Sequence, residues 1–180
     1  VLSNDEELRA YIASFAGMPV YKGVQAEWTN WASCFSKEAL RGLDYVITDT
    51  MTFPGADGKR RKMWEKPVEL GDLNTFMDRY VEWYVEIIAK QGMDILVNVS
   101  WLPEGFADKY DAHWTEARMG KVVDALSKYG VAIEISSGMS IPSLRFLKIA
   151  KEAKLKFAFG SNGRYPKMGK LEYSIQKARE

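Results

Sequence analysis

The sequence predicts an α/β fold of parallel strands, a β/α barrel-type arrangement, and three observations predict it. Short apolar runs alternate repeatedly with longer runs at helical spacing. Runs such as Ile95-Leu96-Val97 are apolar without alternation, which suits strands covered on both faces. Each strand-like run hands over to polar residues, as at the edge of a β/α fold where loops and helix starts converge.

The elements follow in order. Asn4-Asp5-Glu6-Glu7 sets a capping side chain and acids ahead of Leu8, Tyr11, Ile12 and Phe15 at helical spacing, and Gly17 ends that helix. Residues 20–26 read as a strand ending at Glu27, residues 36–41 as a short capped helix, and residues 45–48 as the next strand. Residues 53–67 contain Pro54-Gly55, Asp57-Gly58 and the run Lys59-Arg60-Arg61-Lys62, and read as a turn-rich loop of the kind that lies over a site. A long helix over 76–89 carries Phe76, Tyr80, Trp83, Tyr84 and Ile87 on one side. Residues 94–99 are the next strand. Thr115-Glu116 opens a helix with Met119, Val122, Val123 and Leu126 at helical intervals, stopped at Tyr129-Gly130. A strand over 131–135, a helix over 142–153 with Pro142 in its first turn, a strand over 156–159 and a final helix over 171–178 complete the series.

A chain of 180 residues can bury one proper core, and residues 1–180 are read as a single β/α domain. Lys and Arg total 25 against 24 Asp and Glu, and a net charge of +1 gives no electrostatic case for nucleic acid or an anionic membrane. The expected partner is a small molecule or another protein. The lone Cys34 excludes an intrachain disulfide framework and a multi-cysteine zinc site, fits a reducing, cytoplasmic location, and is read as a buried, inert thiol. No apolar run reaches the ~18 residues of a membrane span. Val1-Leu2-Ser3-Asn4 has neither an initiator Met nor the regions of a signal peptide, and the expectation is that residues upstream have been removed.

The strand ends gather the chemistry: Gln25 and Glu27, Asp49 between Thr48 and Thr50, Asn98 and Ser100, Glu134 with Ser136 and Ser137, and Ser161 with Asn162. Glu27, Asp49 and Glu134 are the acids that can ligate a hard divalent cation or serve as general acid and base. Taken singly, each such residue reads equally well as a turn former or a helix cap; their recurrence on one edge favours function. His113 is the only histidine, so neither a three-histidine zinc site nor a histidine dyad can form, and a structural or surface role is expected for it. Trp28, Trp31, Trp64, Trp101 and Trp114 fall at element ends, where they can stack on sugars or cap a barrel mouth, with core packing favoured for most. Residues 59–62 can receive an anionic substrate but read first as a solvated charged face, and Gly160-Ser161-Asn162-Gly163-Arg164 is a weak anion-nest signal.

In that order, Leu43 to Asp49, Val131 to Ile135 and Phe157 to Asn162 resemble the polymerase and histidinol phosphatase (PHP) metal-dependent hydrolases, and Gly23-Val24-Gln25-Ala26-Glu27 resembles a strand of an uncharacterised branch. The resemblance covers Val20 onward. It implies a distorted seven-stranded, TIM-like barrel related to the amidohydrolases, here short of its N-terminal strand, and a two- or three-metal site that activates water. The sequence departs from that pattern at the metal ligands. The opening His-x-His strand is missing, and Gln25 or Glu27 stands where the second-strand acid belongs. Met51, with Asp49 nearby, stands where a histidine is expected. Another histidine is replaced around Asn98 to Ser100, and the closing Ser-Asp-x-His reads Ser161-Asn162-Gly163-Arg164.

The resemblance therefore implies at most one ion on Glu27, Asp49 and Glu134, with neutral oxygens from Asn98 or Asn162, and such a site prefers Mg²⁺, Mn²⁺ or Ca²⁺ to Zn²⁺. Asn98, Ser161, Asn162 and Arg164 are the expected substrate-binding residues, Arg164 hinting at a phosphate or carboxylate. The first expectation is a PHP-like hydrolase, a phosphoesterase acting on a small anionic substrate. The alternative is a degenerate barrel, free of metal, that binds a small molecule without catalysis. Sheet edges left open by missing strands also predict association with another chain.

Overall fold

In the computed structural model, which describes residues 1–55, 57–65, 71–104, 106–163, 166 and 168–180, the predicted alternation of strand and helix is present. The order is α1 (Asp5–Ala13), β1 (Gly23–Ala26), α2 (Lys37–Leu40), β2 (Tyr45–Thr48), β3 (Thr52–Pro54), β4 (Arg60–Lys62), α3 (Leu73–Lys90) and β5 (Ile95–Leu96), then α4 (Tyr110–His113), α5 (Glu116–Tyr129), β6 (Ala132–Ser136), α6 (Leu144–Glu152), β7 (Phe157–Gly160) and α7 (Glu172–Arg179). The sheet runs β1-β2-β5-β6-β7, and every neighbouring pair is parallel. Ala26 lies beside Thr48, Thr48 beside Leu96, Leu96 beside Ile133, and Ser136 beside Gly160. All C-terminal strand ends thus share one edge.

Helix starts follow the local chemistry. The Asn4, Ser36, Asp72, Thr115 and Ser143 side chains each accept a hydrogen bond from a backbone N–H in the first turn of α1, α2, α3, α5 and α6. Gly130, at φ +70°, takes the left-handed conformation that closes α5. The apolar side of α3 (Phe76, Met77, Tyr80, Tyr84, Ile87) packs with Met119, Val122 and Leu126 of α5, Phe146 of α6, and Leu96 and Ile133 of the sheet. Trp114 is fully buried among them, its ring 5.6 Å from Tyr84 and 5.8 Å from Phe146. Burying each such large side chain contributes about 1.5–3 kcal/mol, so this cluster anchors the helix layer to the sheet.

Several expectations change. The seven-stranded barrel is not formed among the described residues: the sheet has five strands, with β1 and β7 at its two ends. The loop predicted over 53–67 contains the antiparallel hairpin β3–β4, Phe53 lying opposite Arg61. The strand predicted over 94–99 is confined to Ile95–Leu96, because Asn98 and Ser100 turn into left-handed backbone at φ +52° and +68°. Cys34 is exposed, since it ends a short 3-10 turn on the surface instead of entering the core. No helix of the described residues is long and apolar enough to cross a membrane.

Candidate functional site

The C-terminal strand edge opens into a cleft of about 1780 Å³, with Gln25, Asp49, Asn98 and Asn162 among its lining residues and Arg60 and Arg79 on its hairpin side. Asp49 is half-buried just past β2. Its Oδ2 accepts from Gln25 Nε2 at 3.0 Å and its Oδ1 from the Met51 N–H at 2.9 Å. Burial pushes the Asp49 carboxyl above the ordinary carboxylate range; its hydrogen bonds pull the other way, and the charge of Glu27 adds to the rise.

Glu134, from the middle of β6, is buried, and its Oε2 accepts from the Asn98 N–H at 2.9 Å. Burial raises its carboxyl too, against the pull of that bond, and the Asp49 charge adds a smaller push. The parallel register makes this position available. Glu134 pairs with Ala158, and its side chain leans across Gly160, where an added Cβ would stand 1.6 Å from Glu134 Oε1. Asn98 ties the floor together, accepting from Asn162 Nδ2 on its Oδ1 at 3.2 Å while its backbone serves Glu134.

Glu27 behaves differently. It is exposed, and its Oε2 accepts from Arg60 Nη2 at 3.3 Å, joining the end of β1 to β4. The same guanidinium lies 5.2 Å over the Trp28 ring, which meets Trp83 of α3 at 5.2 Å. Trp28 holds a left-handed φ of +69°, a genuine outlier for a bulky residue, and this clasp of Arg60 and Trp83 maintains it. With Asn98, Ser100 and Asn162 (φ +38°), four non-glycine residues just past strand ends are left-handed. Such backbone clusters where loops are held for binding.

Beneath the rim a buried hydroxyl chain joins the elements. Thr50 Oγ1 donates to Tyr80 Oη at 3.1 Å, Tyr84 Oη to Tyr80 Oη at 3.4 Å, and the Ser100 N–H to Tyr84 Oη at 2.9 Å. Tyr110 Oη donates to Ser100 Oγ and accepts from the Ser143 N–H at the start of α6. Burial raises all three phenols, Tyr84 to about 12, so they act as neutral hydrogen-bonding groups. Sequence reading gave Tyr80 and Tyr84 to the core and missed this use; their i, i+4 spacing under a rim of Thr and Ser was the available signal.

The structure brings Asp49, Glu134, Asn98 and Asn162 together and turns Glu27 toward the hairpin. Ser161 is half-buried; its carbonyl crowds Gly138, where an added Cβ would meet Ser161 O at 2.2 Å, and its Oγ accepts from the Gly163 N–H at 3.4 Å. Arg164, and with it the end of the expected nest, lies outside the described residues. His113 is buried at the end of α4, and burial lowers its imidazole pKa. Among the described residues no group of three or more His, Cys, Asp or Glu side chains is placed to hold a metal ion. The donor set does not fit the metal centre implied by the PHP resemblance: the inner acids are committed to N–H donors and the outer one to Arg60.

Neither protein-family profiles nor curated protein sequences yield a match to this chain. Among solved structures the chain is similar to histidinol phosphate phosphatase from Lactococcus lactis subsp. lactis Il1403, solved with zinc, L-histidinol and phosphate. The likeness has a TM-score of 0.60 at 13% identity and covers 97% of this chain and 70% of that one. An α/β fold with a five-stranded parallel sheet, similar in structure to a PHP-family phosphatase, is therefore what this chain has.

Proposed function

We propose that this chain binds a small polar molecule in the cleft at the C-terminal strand edge, without a multi-metal centre. The observation that carries the reading is the rim itself. Parallel strands deliver Gln25, Asp49, Asn98 and Asn162 to one floor, with the buried Glu134 bonded to the Asn98 N–H, and neutral N–H groups hold both inner carboxylates. Hydrogen-bonding groups converging in a large concave cleft are what a small-molecule site requires. The left-handed residues at the strand ends fit the same purpose, since each costs about 1–3 kcal/mol that core packing alone does not demand.

A second reading, phosphoester hydrolysis with a divalent ion, draws on the likeness to a phosphatase solved with zinc and phosphate and on Arg60 and Arg79 beside the cleft. On that reading Glu27, Asp49 and Glu134 must leave their present partners to meet one ion. Elemental mass spectrometry of the purified chain, beside a Glu27→Gln/Asp49→Asn double variant, separates the two. Sub-stoichiometric metal in both is expected; stoichiometric metal that the double variant loses would establish the hydrolase reading instead.

A further inference from the structure

We infer that the outer edge of β7 is a self-association site, where a second copy of this chain pairs its own β7 antiparallel about a two-fold axis at Ala158. The inference stands apart from the small-molecule reading above. β7 is an end strand of the sheet and pairs with β6 alone. Its Lys156 and Gly160 carbonyls accept from the Ile133 and Ser137 N–H groups at 3.0 and 2.7 Å. Backbone groups alternate sides along a strand, so the N–H and C=O of Phe157 and Phe159 point away from β6. Among the described residues neither strand nor loop bonds to them there. The side chains are open too, Phe157 being 38% and Phe159 47% exposed. The opposite end of the sheet is guarded by α1, whose Tyr11 Oη donates to the Gly23 carbonyl of β1 at 2.7 Å. An open edge with apolar side chains is a template for another strand.

The edge is complementary to itself. Phe157-Ala158-Phe159 reads the same in both directions, so a two-fold axis at Ala158 sets each Phe157 opposite Phe159 of the second copy. Both residues face outward, and each such pair therefore exchanges both of its N–H···O=C bonds, as an antiparallel ladder requires. The phenyl rings meet on one face of the joined sheet. Charge fits the same register. Lys156 leaves the other face of the strand and falls opposite Gly160 of the second copy, not opposite another lysine. Glu134 leans across that glycine, its Oε1 within 1.6 Å of where a Cβ would stand. A lysine and a carboxylate thus share a non-hydrogen-bonded cross-strand position, where side chains lie closest. The contact is isologous and closes at two copies, which leaves the guarded β1 edges outermost.

Sedimentation velocity over a dilution series should show the wild-type chain passing from monomer to dimer as its concentration rises. Phe159→Pro removes an outward N–H that the monomer does not use, and edge strands tolerate proline. That variant should keep its circular dichroism spectrum and stay monomeric where the wild type is dimeric. The register is read by cross-linking in a Cys34→Ser background, because Cys34 is an exposed free thiol. Ala158→Cys places a thiol on the two-fold axis, where the facing Cα atoms approach to about 4.5 Å, within disulfide range. Mild oxidation should convert it to a covalent dimer, whereas Lys151→Cys, exposed on α6, stays monomeric. The cross-link needs no proline, so it decides the case should Phe159→Pro fail to fold. A wild type monomeric at every concentration, a folded Phe159→Pro variant that dimerises as well as wild type, or equal cross-linking of the cysteine variants overturns the proposal.

Discussion

Gly160→Ala is the most direct perturbation of the rim. Gly160 does not sit in left-handed backbone, so alanine meets no φ penalty there and, by restricting the unfolded chain, should gain about 0.4–1 kcal/mol. The new Cβ, however, would lie 1.6 Å from Glu134 Oε1 and 2.5 Å from its Cδ. Glu134 must swing away, and the buried bond from the Asn98 N–H at 2.9 Å is lost with it. Breaking a hydrogen bond to a charged group costs about 1.5–3 kcal/mol, so the net loss should be about 0.5–2.6 kcal/mol. At 180 residues that corresponds to a fall in Tm of about 1–10 °C. Glu134→Ala removes the obstructing atoms and itself leaves the Asn98 N–H unpaired, so in that background Gly160→Ala should cost nothing or stabilise. Urea denaturation of the wild type, both single variants and the double variant gives the coupling directly. Additive single effects, or a Gly160→Ala variant as stable as wild type, would refute the packing of Glu134 on Gly160.

Asp49→Asn preserves shape: the amide oxygen still accepts from the Met51 N–H, and Gln25 can turn its own amide to pair with the new NH₂. Because the Asp49 and Glu134 carboxyls are raised, the native state holds protons more tightly than the unfolded chain. Their contribution to stability is fullest below the ordinary carboxylate range near ~4 and declines as pH rises through the raised values. Denaturation curves collected upward from pH 4 should show a shallower decline in Asp49→Asn than in wild type, and parallel curves would count against the raised Asp49. Tyr80→Phe should cost about 1–3 kcal/mol by chemical denaturation, because it strips the acceptor from the Thr50 and Tyr84 hydroxyls in the core; a neutral result would remove the hydroxyl chain from the fold's support. Arg60→Ala should cost under about 1 kcal/mol, as both partners of its ion pair are nearly half exposed. Its readout is a red-shifted tryptophan emission as Trp28 loses its cover.

The alternation of strand and helix was legible because it follows from local chemistry. Capping side chains at Asn4, Asp72 and Thr115, the stop at Gly130 and the one-sided apolar pattern of α3 all operate within a few residues of chain. What was not legible depended on longer range. Whether the sheet closes is set by pairing between β1 and β7, far apart in sequence, and no local pattern encodes it. The hairpin β3–β4 was hidden because Arg60, Arg61 and Lys62 have no apolar alternation; the strand is held by pairing with Thr52–Pro54 and by ion pairs on its charged side chains. Cys34 was misplaced by a residue-type average, whereas its position in a surface turn decides its exposure.

The site was legible as a set of residue types and not as a set of commitments. Glu27, Asp49 and Glu134 look alike in sequence, yet each answers to a different partner: a guanidinium, a side-chain amide with a backbone N–H, and the backbone of Asn98. These commitments set the terms on which a metal could enter. An ion that took the bonded oxygens of Asp49 and Glu134 would strip the Met51 and Asn98 N–H groups of their acceptors, at about 1–3 kcal/mol for each one left buried and unpaired. It would also have to draw Glu27 off Arg60 to gain a third acid. Those costs oppose an ion that enters by that route, and the same two amides, Met51 and Asn98, would report its arrival.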